Sequence, residues 1–167
     1  MLFVVQLKKI LKSDIMHNME VYNMKRILIG ATLLVTLASL TACGSSGKTL
    51  TCTQTVSEDN GFSNEEVIVY KLNKNKIKSA KITSTIIAEG DYAQYIEEYK
   101  TNAKEAADDY NKLDGVSAKV DSKDNKVSVI IDLKADKMNE DNYNLYNMGE
   151  SYESLKDKYS KDGYTCK

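Results

Sequence analysis

Between Asp91 and Leu113 the apolar residues recur in steps of three and four, through Tyr92, Ile96, Tyr99, Ala103, Ala106, Tyr110 and Leu113. This is the clearest helical period in the chain, with Glu and Lys on its outer face. Gly90-Asp91 offers that helix a start, and Asp114-Gly115 offers a glycine stop. On either side the pattern changes to short β-branched runs interleaved with polar residues, at Leu50–Val56, Val67–Leu72, Ile77–Ile87, Val116–Val120 and Val127–Leu133. Asn73-Lys74-Asn75-Lys76 breaks the second run from the third, and Asp121-Ser122-Lys123-Asp124-Asn125 breaks the last two, so two hairpins are expected. Ser151–Lys161 predicts a short final helix through Tyr152, Leu155 and Tyr159, stopped by Gly163. The expected fold class is α+β: an antiparallel sheet built from hairpins, packed on one face against one long and one short helix.

The residues before this pattern have a different chemistry. Read from Met24, Lys25 and Arg26 form a positive start and Ile27–Leu40 an apolar run, the order of a signal peptide. The run is shorter than the ~20 residues that span a bilayer, which argues against a structural transmembrane helix. Leu40-Thr41-Ala42-Cys43 then matches the lipobox of bacterial lipoproteins, in which the cysteine thiol receives a diacylglyceryl group before cleavage on its N-terminal side. Two acyl chains at ~0.8 kcal/mol per buried CH₂ hold a protein firmly on a membrane where one does not. The expected organisation is a misassigned N-terminal extension over 1–23, a lipoprotein signal peptide over 24–42, a lipidated Cys43 with a flexible tether over 43–49, and a single α+β domain over 50–167. Met19-Glu20-Val21 can be encoded by a ribosome-binding sequence just ahead of Met24, which supports a start at that methionine.

Composition matters from Cys43 onward. There 22 acidic side chains face 18 lysines and no arginine, a net charge of −4, so nucleic acid is not an expected partner. The absence of proline and mature-region arginine, with abundant Lys, Asn and Tyr, fits AT-rich codons and hence a low-GC bacterium with a single membrane. The expected location is the outer face of that membrane. Lipidation of Cys43 leaves Cys52 and Cys166 in an oxidising exterior, each in a strand-like setting, and a Cys52–Cys166 disulfide is expected, with two reduced, buried thiols as the alternative.

Along the mature region the chain resembles the YehR-like small lipoproteins, a bacterial family of unknown function. The resemblance rests on the lipobox ending at Cys43, the hairpin through Tyr70 and Lys76, Gly115-Val116 after the long helix, Asp132 ending a strand, and the terminal Gly163-Tyr164. It implies an α+β fold and no activity.

No histidine follows Cys43, because His17 lies upstream, and this excludes imidazole triads and histidine zinc sites. Ser45-Ser46-Gly47-Lys48 fits a Ser-x-x-Lys pattern but falls in the expected tether, where a nucleophile is not held in geometry. Asp109, Asn111 and Asp114-Gly115 begin like a calcium loop, yet Leu113 occupies a ligand position and the downstream glutamate is absent. No catalytic residue, metal ligand or cofactor is assigned. Asn139–Tyr152 interleaves Tyr143, Tyr146 and Tyr152 with Asn, Gly and Ser without a sustained period; it reads as a loop, either a binding surface or cover over an open end of the sheet. Two functional classes follow. One is a membrane-anchored extracytoplasmic lipoprotein acting as a binding or structural module for an unassigned ligand; the other is an envelope-associated hydrolase using carboxylates alone.

Overall fold

The computed structural model describes residues 47–58 and 60–167. The start at Met24, the signal peptide and the lipobox Leu40-Thr41-Ala42-Cys43 lie outside them. Alternation sets the first three strands, β1 (Gly47–Glu58), β2 (Phe62–Asn73) and β3 (Lys76–Ala88); β2 and β3 bury every second side chain over much of their length, and β1 does so at Leu50 and Cys52. β4 (Val116–Lys123) and β5 (Lys126–Lys134) form the second expected hairpin, and Thr165–Cys166 is a two-residue β6. Together they make one antiparallel sheet of order β4-β5-β3-β2-β1-β6. Pairing begins at Gly47, so the first strand takes in the last three residues of the stretch read as tether.

Two helices and the segment between them cover one face. α1 (Ile96–Tyr110) packs over β4 and β5, and α3 (Tyr152–Lys161) over β1 and β6. Beneath them lie Leu50, Ile68, Tyr70, Leu72, Ile82, Ile131 and Leu133, all buried. At roughly 25 cal/mol per Å² of apolar surface removed from water, this layer is the main source of stability. Thr51, Thr53, Val67, Val69, Thr83, Thr85, Ser128 and Ile130 share the opposite face, each half-buried.

Two elements differ from the sequence expectation. The helical stripe does begin at Gly90, but Gly90–Tyr95 is a 3₁₀ stretch; Tyr92 bonds to Glu58 Oε2 at 3.0 Å and stacks on Phe62 at 5.3 Å, contacts that tie this turn to the β1–β2 connection. The α-helix stops at Tyr110, not Leu113. Asn111 turns its side chain onto β4, accepting from the Ala118 N–H at 2.7 Å and donating to the Ala118 carbonyl at 3.0 Å, so it mimics a paired strand residue. Gly115 then reverses the chain at φ +75°; a Cβ there would lie 2.5 Å from Met138 Cγ. The second difference is in Asn139–Tyr152, where a short helix α2 (Glu140–Leu145) replaces the expected loop. Asn139 caps it, accepting from the Asn142 N–H at 2.9 Å.

Candidate functional site

β1 and β6 meet at Cys52 and Cys166, which are directly opposed, with Cα atoms 4.1 Å apart and a disulfide between them. Thr51 and Lys167 exchange both backbone hydrogen bonds at 2.9 Å, so the cysteines occupy the adjoining non-hydrogen-bonded position, where opposed side chains come closest. Alternation placed Cys52 inward beside Leu50, and it is fully buried.

The tyrosines of Asn139–Tyr152, read as either a binding surface or cover, are divided. Tyr146 is only 6% exposed and belongs to the core, with burial pushing its phenol up to about 12. Tyr143 is half-buried, its ring 3.3 Å from the place a Cβ would take on Gly149. Tyr152 is half-buried on α3, with Lys48 Nζ 5.6 Å above its ring. Tyr146 therefore serves as cover, as do Met148 and Leu155, both fully buried, whereas Leu145 points outward. The reason is the short helix, which directs Asn142 and Tyr146, four residues apart, inward together.

What the structure does bring together is a polar cluster the sequence did not single out. On β2, Glu66 follows the inward parity of Ile68, Tyr70 and Leu72, and it is the one carboxylate buried among the described residues. Burial raises its pKa, offset in part by the hydrogen bond that Tyr164 donates to it. Two inward positions further on, Tyr70 Oη lies 2.9 Å from Tyr159 Oη and also donates to the Tyr146 carbonyl at 3.4 Å. Tyr159 stacks edge-on against Tyr164 at 5.2 Å. Burial pushes Tyr110 up to about 12 and raises Tyr70, Tyr159 and Tyr164 as well, so these phenols stay protonated across the physiological range.

Chemically this is a neutral hydrogen-bond network around one acid. It joins β2 to α3 and to the C-terminal residues, and among the described residues no second carboxylate is buried with Glu66. Among the described residues no group of three or more His, Cys, Asp and Glu could hold a metal ion, and no helix is long and apolar enough to cross a membrane. The signal for Glu66 was its parity: it continues an alternation whose other members are all apolar or aromatic.

The fold and its buried network thus define a six-stranded antiparallel α+β domain closed by a cross-strand disulfide. No family model matches the chain, and comparison with curated proteins finds no match. Among solved structures, the chain is similar to an NMR structure of a protein from Streptococcus pneumoniae TIGR4, at 12% identity and a TM-score of 0.48 over 89% of this chain and 99% of that one.

Proposed function

We propose that the chain is a membrane-anchored extracytoplasmic lipoprotein, held by diacylglyceryl on Cys43 at the outer face of the cell membrane, whose domain is a binding or structural module. The observation that carries this reading is the charged start, apolar run and Leu40-Thr41-Ala42-Cys43, ending three residues before the first strand at Gly47. The Cys52–Cys166 disulfide supports it, because such bonds persist outside the reducing cytoplasm. The resemblance to the YehR-like lipoproteins belongs to the same proposal. A carboxylate-only hydrolase is the competing reading, but the neighbours of Glu66 are phenols that stay neutral, and it is closed off from solvent.

Metabolic labelling with an alkyne fatty acid, followed by mass spectrometry of the native protein, tests the anchor. The expected result is a mature chain starting at a lipid-bearing Cys43, with a Cys43→Ala variant unlabelled and found in the detergent-free fraction. An unlabelled wild-type protein would overturn the anchor, and peptides from Leu2 to Lys12 in cells would overturn the start at Met24.

A further inference from the structure

From Val67 to Ala88 the chain carries five lysines, Lys71, Lys74, Lys76, Lys78 and Lys81, and no acidic residue, in a mature region whose net charge is −4. Lys81 is balanced by Asp132 at 3.2 Å. The other four surround the β2–β3 turn, all exposed, and among the described residues none of them forms an ion pair. The turn is the furthest-projecting part of its end of the sheet. Pairing of β3 with β5 stops at Ser79 and Lys134, so residues 72–78 reach past β5, and the exposed Lys134 stands at their base. On the other side β1 accompanies the hairpin as far as the Gly47–Asn73 pair, which brings exposed Lys48 alongside Leu72. The acids at this end are Asp114, Asp136, Glu140 and Asp141 on the β4–β5 side, and Glu150 and Glu153 at the start of α3, where Tyr152 lies under Lys48; none of them is on the β2–β3 hairpin itself.

This basic tip is next to the place where the chain leaves for Cys43. Four Cα steps separate Cys43 from Gly47, a reach of no more than about 14 Å. A lipid on Cys43 therefore holds the turn near the headgroups, at a distance comparable to the ~8 Å over which charges act at physiological ionic strength. The opposite end of the sheet, with the Asp124-Asn125 turn, is roughly 40 Å away along β3.

We propose that the β2–β3 tip, through Lys71, Lys74, Lys76 and Lys78 with Lys48 and Lys134, docks on the phosphates of anionic lipids in the leaflet that holds the anchor, and so orients the sheet end-on to the membrane. This rests on the lipid-anchor reading. Charge complementarity selects the occupant, and the short tether selects the anchoring membrane over an anionic polymer reached in trans. A juxtamembrane basic cluster is a second signal beside a lipid, and it acts only within screening distance of the surface.

The test uses the lipidated protein, its mass confirmed, reconstituted in nanodiscs of phosphatidylglycerol or of phosphatidylcholine, with lysine acetylation read by mass spectrometry. Lys74, Lys76 and Lys78 are expected to be protected about fivefold in the anionic discs. That protection should vanish at about 1 M salt, where screening falls to ~3 Å. Lys123 and Lys126, at the far turn, should label equally in both. A Lys74→Gln, Lys76→Gln, Lys78→Gln variant should lose the protection of Lys71, and a Lys123→Gln, Lys126→Gln variant should keep it. Equal labelling of the tip in the two discs overturns the proposal while leaving the anchor intact, as does protection that appears only when a soluble anionic polymer is added to neutral discs. A Cys43 without lipid mass overturns both.

Discussion

Glu66 shows how a single position on a strand sets a pH dependence. Its parity forces the carboxyl into the layer between sheet and helices, and desolvation there favours the protonated form. A group whose native pKa is raised stabilises the fold below its unfolded value and loses that contribution as pH rises through the native one. Glu66→Gln keeps an acceptor for Tyr164 and removes the buried charge. It is expected to be more stable than wild type at pH 7 and equal to it near pH 3. Urea denaturation at the two pH values measures this; a variant less stable at both would mean that the ionised carboxylate supports the network.

At the scale of elements, the β2–β3 hairpin is decided by the residues of its turn. The β2–β3 turn places both Lys74 (φ 49°) and Asn75 (φ 64°) in the left-handed region, the pattern of a type I′ turn whose twist suits flanking strands. Asparagine tolerates that conformation, and lysine does so at a cost of about 1 kcal/mol. Next to the turn the register shifts between Lys71 and Leu72, leaving Lys78 as the extra residue, so that Leu72 and Ile77 both face inward. Lys74→Asn is therefore expected to raise stability by roughly 0.5–1 kcal/mol while removing one charge from the basic tip. Thermal melts should rise as protection on anionic discs falls; a change in the same direction for both would separate the turn from the docking proposal.

For the whole molecule, the disulfide links the ends of the described domain. It closes a sequence separation of 114 residues and fixes β6 at the sheet edge, where only two residues pair. In the chain-entropy model a loop of that order contributes up to about 4.7 kcal/mol by restricting the unfolded chain. A Cys52→Ala, Cys166→Ala variant should unfold at markedly lower urea, and the denatured, unreduced mature protein should show no free thiol among these two. Titration of two thiols would remove the bond from the account. Loss of the bond should be felt first in α3 and the Tyr159–Tyr164 contact, which hydrogen exchange resolves.

Local pattern alone determined the long strands, both hairpins and the two longer helices, because alternation and the three–four step report directly which side of each element meets the core. Ser151 and Gly163 even marked the ends of α3: Ser151 Oγ accepts from the Ser154 N–H at 3.2 Å, and Gly163 turns at φ +88°. The cysteine pairing was legible from count and from the compartment the sequence leads one to expect, and its register at the sheet edge came from the fold. Asn111 looked like part of a helix because its bond to Ala118 is made across a turn, and α2 was hidden because so short a helix does not show a period. Tyr143, Tyr146 and Tyr152 read alike in sequence, and only packing separated the core residue from the two half-buried ones. The meeting of Glu66 with Tyr164, about a hundred residues apart, and the placing of the four lysines of the β2–β3 turn beside the start of β1 depended on strand order, which no local pattern carries because it is chosen by which buried faces fit together.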